Sequence, residues 1–401
     1  MQKKCSSVIL RRQGCYSCSF FVKKRENRQG DTSMFDRRLI NNFDWILLAI
    51  LIFLGLLSGF NLYSATHSIS FMGGSQVYIK QICWYAIGFF ILLLMTTFDY
   101  HVLDRVAYPL FFISLVFLLA VLKFGKVTYG SQRWLSLGYF SIQPSEMVKV
   151  SIIIVLAKYF SNSERTGHYR LRDLTKPLLL IAIPFVMIVY QPDLGTALIL
   201  LIVSLSIVTF VNVNWKSIAI FLSIAFLSAP FFWITLQEYQ KKRIITFLRP
   251  DLDPLGAAYH VTQSKIAIGS GLLWGKGFLK GTQTRLHFLP QQHTDFSFSV
   301  LAEEWGFVGS TMILLVYLFL ILWCLNIAKN SKDKFGTLIV VGVAALVFWH
   351  LIINVSMVIG LLPVVGIPLA LFSYGGSSVI STMAAMGLVM NISMRRFMFQ
   401  E

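Results

Sequence analysis

The chain has 401 residues, 56% of them hydrophobic and only 13% charged, with a net charge of +17. A soluble domain carries about 25% charged residues, so this composition excludes an ordinary soluble enzyme. The basic residues sit in short segments between apolar blocks, where membrane proteins place them, and this argues against a nucleic-acid binder.

Residues 1–33 are polar and basic and hold no apolar stretch long enough for a signal peptide. They read as a disordered cytoplasmic tail, or as a non-native extension upstream of a start at Met34. Residues 34–401 then form the membrane domain. Cys15 and Cys18 are an isolated pair, and Cys5, Cys83 and Cys324 complete no metal-ligand or disulfide spacing.

Long apolar blocks follow. A run of about 20 apolar residues crosses the hydrocarbon core as a helix, which pairs every backbone group within the segment. Spans are predicted near 45–65, 79–98, 105–122, 145–161, 177–190, 194–212, 215–237, 297–327, 335–361 and 367–393. The expected fold is an all-α polytopic membrane protein of about ten transmembrane helices. A large outer loop, 238–296, lies between the seventh and eighth. In the first span, Gly55-x-x-x-Gly59 suggests a close helix-packing contact. Residues 177–212 are too long for one span: a single helix would run about 54 Å against about 30 Å of hydrocarbon. Pro192 and Asp193 interrupt the run, so two helices joined by a tight turn are expected.

Ten spans put both termini on one side. With the termini inside, the inner segments collect 22 of the 35 Lys and Arg, the short outer segments five and the long loop eight. The termini are therefore expected in the cytoplasm and the long loop outside.

This topology gathers the membrane-depth acids mainly near the outer leaflet, where ionisable residues are functional candidates by default. Glu146 and Lys149 share a helix face, either as a structural ion pair or as a groove for a charged head group. Arg133 and Trp134 set an outer cation beside an interfacial aromatic. Asp193 lies in the turn between the fifth and sixth spans. Asp295 precedes a long apolar run, which suits a helix cap or a general base at the lipid–water boundary. Glu303 and Glu304, two turns further on, would pair with loop cations, bind a divalent ion or sit solvated in a cavity. Ala257–Ile268 fits a short amphipathic helix on the outer surface. Gly271-Leu-Leu-Trp-Gly-Lys-Gly277 fails as a nucleotide loop in spacing and in lacking Ser or Thr after Lys276. An outward-facing enzyme without nucleotide needs a substrate carrying its own leaving group, and a lipid-linked sugar pyrophosphate is one. The two interrupted segments, Gln143-Pro-Ser-Glu146 and Gln191-Pro-Asp-Leu194, also suit a transporter.

From about Phe43 to Arg396 the chain resembles the SEDS family of peptidoglycan glycosyltransferases, in its RodA, or elongation, branch. The resemblance is carried by Arg133-Trp-Leu-Ser-Leu-Gly138, Gln143-Pro-Ser-Glu146, Gln191-Pro-Asp-Leu-Gly-Thr-Ala197, Gln263-Ser-Lys-Ile-Ala-Ile-Gly-Ser-Gly271, His293-Thr-Asp-Phe296, Leu362-Pro-Val-Val-Gly-Ile-Pro368 and Ser373-Tyr-Gly-Gly376. Tyr259–Lys265 and Gly281-Thr-Gln283 favour that branch over the division branch. One departure stands out: Gln291 and Gln292 replace the usual Glu-Arg before His293.

The resemblance implies a ten-helix fold, an outer cavity and polymerisation of lipid II into β-1,4 glycan strands during cell elongation, at the inner membrane. It implies Asp295 as the catalytic base. Arg133, Trp134, Glu146, Lys149, Asp193, Lys265 and His293 are the substrate-binding candidates. Help for the departing pyrophosphate would come from a divalent cation, magnesium or manganese, or from cations such as Arg133 and Lys265. A class B penicillin-binding protein within the elongation complex is the expected partner. A lipid II flippase and a non-catalytic scaffold for a transpeptidase are the alternatives.

Overall fold

The computed structural model describes residues 42–70, 77–128, 131–137, 140–163, 168–252, 256–286, 288 and 292–396. The expected tail, 1–33 with its three cysteines, lies outside these residues, as does Gln291.

The helices, in chain order, are α1 (Trp45–Ser70), α2 (Val77–Thr97), α3 (His101–Phe124), α4 (Pro144–Ser161), α5 (Thr175–Tyr190), α6 (Leu194–Phe210), α7 (Trp215–Thr235), α8 (Glu238–Leu248), α9 (Ala257–Ser270), α10 (Thr282–Arg285), α11 (Ser297–Lys329), α12 (Lys334–Val358) and α13 (Gly376–Arg395). Seven helical segments among the described residues are long and apolar enough to cross a membrane: α1, α2, α3, α5 with the turn before it, α11, α12 and α13. The protein is an all-α polytopic membrane protein. Helix α6 is apolar but only 17 residues long, and α4 carries Glu146, Lys149 and Lys158. Helices α5 and α6 are the expected pair flanking Pro192 and Asp193.

Helices α12 and α13 form the centre: 72% and 83% of their apolar windows are buried, against 22% for α2. A helix apolar all round belongs in such an interior. Gly88 on α2 lets α13 approach closely, since a Cβ there would stand 2.9 Å from Met383 Cγ. The Gly55-x-x-x-Gly59 expectation holds only in part. Gly55 packs on the Tyr85 ring, while Gly59 has nothing within 4 Å of where its Cβ would be.

Three features depart from the expected pattern. The tenth block does not begin at 367: α13 starts at Gly376, and 359–375 is irregular. Pro363 and Pro368 lack the N–H that a helix needs, and Gly360 and Gly366 sit at φ +77° and +74°. Next, residues 126–142 form a three-stranded antiparallel sheet, β1 (Lys126–Thr128), β2 (Ser131–Leu137) and β3 (Phe140–Ile142), in that order. Its register pairs Val127 with Gln132 and Leu135 with Ile142. Finally, α11 breaks at Gly306 (φ 64°, ψ −159°). The glycine-rich loop after α9 plugs that break. Phe307 N–H donates to Leu272 O (2.8 Å), Val308 N–H to Leu273 O (3.1 Å), and Gly277 N–H to Glu304 O (2.9 Å). A Cβ at Gly275 would overlap the Glu304 carbonyl, and one at Gly306 would overlap Gly275 N. These glycines therefore serve backbone-to-backbone packing, which accounts for the segment that mimics a nucleotide loop.

Candidate active site

The site is built from five segments. Strand β2 brings Arg133, whose Nη2 donates to Pro192 O (2.9 Å) and whose Nη1 lies 3.6 Å from Asp193 Oδ1. Asp193 is the N-cap of α6: its Oδ1 accepts from Thr196 N (3.2 Å), and its Oδ2 accepts from Thr196 Oγ1 (2.8 Å) and Gln143 Nε2 (3.2 Å). Helix α8 adds Tyr239, whose hydroxyl donates to the same Pro192 carbonyl (2.6 Å). Arg243, one turn on, lies over the Tyr239 ring and donates to Val364 O (3.1 Å). Gly195, at the start of α6, lets the 359–375 loop close in: a Cβ there would stand 2.6 Å from Val365 O.

Asp295 completes the group, just before α11. Its backbone carbonyl accepts from Asn354 Nδ2 (2.9 Å), which also donates to Ile367 O (2.7 Å). Asn354 is fully buried on α12, so the centre of the bundle fixes the backbone of the acid. Where a Cβ at Gly366 would stand, Asp295 Oδ2 is 3.6 Å away.

The Asp295 side chain does not cap the helix. The N-cap of α11 is Phe296, with no side-chain cap bond. No hydrogen-bond donor among the described residues reaches the Asp295 carboxylate. Burial pushes the carboxyl up from 3.8 to about 6; Arg243 and Arg133 pull it back, and Asp193 adds to the rise. An acid so placed is largely ionised at neutral pH yet far more basic than a surface carboxylate, which suits a general base. Arg243 is itself held below its ordinary value by burial. His260 is lowered by burial and then by Arg243.

The remaining candidates divide. His293 is partly buried; its carbonyl accepts from Tyr374 N (2.9 Å), and burial lowers its imidazole. Trp134 follows Arg133 on β2, at the point where the β1–β2 register shifts. Glu146 and Lys149 are shut inside the bundle, 5% and 3% exposed. Lys149 Nζ donates to Glu146 Oε1 (2.8 Å) and lies 3.1 Å from His350 Nε2, while Ser381 Oγ donates to Glu146 Oε2 (3.0 Å). The two side chains form a buried ion pair. Lys265 lies on α9 in a cleft shared with Arg243.

Glu303 pairs with a loop cation. It accepts from Lys276 Nζ (2.7 Å), Thr282 Oγ1 (3.1 Å) and Gln283 N (3.0 Å), tying the segment before α11 to that helix. Glu304 accepts from Ser64 on α1. Gln292 is buried and donates to Ala65 O (2.7 Å), a tether to α1 in place of a charge. Helix α9 is present, but Ser264 is buried against Ser299 and Val358 O, so the helix packs into the bundle instead of lying on it.

Arg243, Tyr239 and Asn354 were not singled out from sequence. Arg243 ends a Lys241-Lys242-Arg243 run that reads as a solvated face. The available signal was the spacing of Tyr239, Arg243, Thr246 and Phe247, one face of a helix.

Residues 41–397 match the profile of the FtsW, RodA and SpoVE cell cycle proteins, and the chain belongs to that family. It is 39% identical over 357 residues to the peptidoglycan glycosyltransferase MrdB of Escherichia coli (strain K12), covering 89% of this chain and 94% of that one. It is 33% identical over 433 residues to the peptidoglycan glycosyltransferase RodA of Treponema pallidum (strain Nichols), covering 90% and 99%. Among solved structures, it aligns with a chain of a peptidoglycan synthase complex that coordinates polymerization and crosslinking. The TM-score is 0.76 and the identity 30%, over 90% of this chain and 99% of that one. The rod shape determining protein RodA of Thermus thermophilus aligns with a TM-score of 0.66 at 27% identity, over 88% and 98%.

Proposed function

We infer that the chain is a peptidoglycan glycosyltransferase that polymerises lipid II into β-1,4 glycan strands, with Asp295 as general base. The observation that carries this reading is the uncommitted Asp295 carboxylate, bonded to no donor among the described residues and pushed up to about 6 beside two arginines. The acceptor 4-hydroxyl attacks the anomeric carbon of the donor sugar, and Asp295 takes the hydroxyl proton. The polyprenyl pyrophosphate departs from the opposite face, so the configuration inverts. A positioned base contributes about 10²–10⁴-fold in rate.

The setting is the bacterial inner membrane, both termini cytoplasmic and the site on the outer face, which is the side favoured by the charge distribution. The partner is a class B penicillin-binding protein of the elongation complex; the alignment with a chain of a peptidoglycan synthase complex supports this. No group of three or more His, Cys, Asp or Glu suited to a metal occurs among the described residues. Magnesium is usually held by one or two carboxylates together with substrate phosphates, so a divalent ion here would arrive with the substrate, and no step is routed through it.

The test is glycan formation from lipid II by the purified protein in detergent, with and without the partner. Glycan chains are the expected product. A flippase makes none without a membrane to cross, and a scaffold makes none from its own Asp295.

A further inference from the structure

Helices α4, α6 and α12 each have one end near the candidate active site and the other at a second cavity, of about 440 Å³, which the chemistry above does not use. Phe210 and Val211 line it from the end of α6, Lys334 and Leu338 from the start of α12, and His168 and Tyr169 from the segment between α4 and α5. Contacts distant in sequence fix that segment. Tyr169 N–H donates to Asn212 O (3.3 Å), and Asn214 N–H donates to Tyr169 O (3.1 Å). The Tyr169 ring stands edge-on to Phe160, with centroids 5.4 Å apart.

The lining has donors to spare and, among the described residues, no carboxylate. Tyr169 is only 5% exposed, and its hydroxyl has no hydrogen-bond partner among the described residues. A buried hydroxyl without a partner is costly unless a ligand completes it. Lys334 is exposed to the cavity and forms no ion pair among the described residues. Its neighbour Asp333 is already committed as the N-cap of α12, accepting from Gly336 N (3.0 Å) and from the Tyr100 hydroxyl. Depth says what kind of anion would fit. Helix α6 has 17 residues and so runs about 26 Å, against about 30 Å of hydrocarbon. With Asp193 at one boundary, Phe210 lies at the other, and it is 53% exposed. The cavity therefore opens where acyl chains give way to head groups, with Phe210, Val211 and Leu338 as an apolar wall beside Lys334.

We propose that this cavity is a binding site for the head group of an anionic phospholipid of the inner leaflet; the leaflet, and only the leaflet, rests on the orientation given under the proposed function. A phosphodiester offers acceptors and one negative charge, which match the Lys334 ammonium and the Tyr169 hydroxyl. The apolar wall takes the first part of the acyl chains. Basic pockets between membrane helices on the cytoplasmic side hold such head groups by the same complementarity. A lipid seated here would bridge the start of α12 and the segment that carries Tyr169, at the end of the bundle away from Asp295.

The experiment measures saturable lipid binding to the full chain in detergent by native mass spectrometry, with no turnover required. The probes are phosphatidylglycerol, phosphatidylcholine and glycerol 3-phosphate. Phosphatidylglycerol is expected to bind more tightly than phosphatidylcholine, and glycerol 3-phosphate not to displace it. Lys334→Gln is expected to weaken phosphatidylglycerol about fivefold, and Tyr169→Phe about threefold or more. Lys334→Arg is expected to retain binding. Arg105→Gln, at the same end of the bundle but lining another cavity, is expected to leave it unchanged. Melting temperatures confirm that each variant is folded. Phosphatidylglycerol affinity unchanged in folded Lys334→Gln overturns the proposal. An equal loss in Arg105→Gln also overturns it, because the attraction then belongs to the whole basic face. Displacement by glycerol 3-phosphate does so too, because the cavity is then a site for a soluble phosphate. If Lys334-dependent lipid binding holds but an impermeant thiol reagent labels Lys334→Cys from outside sealed cells, above the parent's background, the lipid site stands and the orientation fails.

Discussion

Two groups of charged side chains hold acids against bases in this protein, and they differ in how far their bonds are used up. Inside the bundle, Glu146, Lys149, His350 and Ser381 form a closed set, with the Pro368 carbonyl 3.1 Å from His350 Nδ1. Around Asp295, Asp193 is also satisfied, but among the described residues Arg133 Nε has no partner, the Asp295 carboxylate accepts no hydrogen bond and Arg243 pairs with no acid. A closed set fixes helices against each other and has nothing left to offer a substrate. An open set keeps its donors and acceptors for something that arrives. Burial alone does not separate the two, since both contain acids removed from water; the unused bonding capacity does.

The largest expected effect is on the open group. Asp295→Asn keeps the shape but cannot accept a proton, so polymerisation should fall by about 10²–10⁴-fold. The side chain caps nothing, so neither this variant nor Asp295→Ala should lose stability. The fold raises the pKa of this carboxyl from 3.8 to about 6. Asp295 thus favours folding fully below about pH 4, and that contribution is lost as pH rises through about 6. At pH 7 Asp295→Asn should therefore melt no lower than the parent. A polymerisation rate within a few-fold of the parent would place the base elsewhere.

The closed group should respond in the opposite way. Lys149→Met leaves the Glu146 carboxylate buried without its cation, which costs about 3–5 kcal/mol. The expected result is a large fall in melting temperature and yield. Adding Glu146→Gln should recover much of it, because the buried charge is then gone. A Lys149→Met variant that is fully stable but unable to bind lipid II would make this pair part of the substrate groove and erase the contrast.

A smaller effect concerns pH. Asp295 must be ionised to work, so the acid limb of the rate should have its midpoint at about 6 and not at the 4 or so of an ordinary carboxylate. Arg243 is the foremost charge holding the carboxyl down. Arg243→Gln should move the limb upward, read from the pH dependence of kcat/KM, which reports the free enzyme. A limb that stays in place would mean that the two side chains do not sense each other.

Much of this was legible in the sequence. The apolar blocks set the helices, and Pro192 with Asp193 marked the break between α5 and α6. Positions fixed by contacts distant in sequence were not legible. The sheet that carries Arg133 has strands of three to seven residues, too short for an alternation to show. Residues 359–361 and 367–375 fall in apolar blocks that read as helix, because hydropathy does not register the backbone effects of Gly360 and Pro368. Asp295 stood in a cap-like position, and only the observed start of α11 tells a cap from a free acid. Arg243 was hidden in a basic run whose meaning depends on what faces it.

The smallest expected effect is at Asp193, which belongs half to each kind of group. It caps α6 and pairs with Arg133, so its own bonds are used, yet its charge also raises the Asp295 carboxyl. Asn caps a helix about as well as Asp, so Asp193→Asn should keep α6 and the melting temperature. Removing the like charge favours the ionised form of Asp295, and Arg133, relieved of its anion, adds to that. The acid limb should therefore move below the parental midpoint, opposite to the Arg243→Gln shift. The plateau rate near neutral pH should change only about two- to three-fold, because Asp295 is already mostly ionised there. The measurement is the full pH–rate profile of the variant beside the parent. A limb that moves upward, or a plateau lost as completely as in Asp295→Asn, would make Asp193 a chemical partner of the base and not a capping residue that tunes it from nearby.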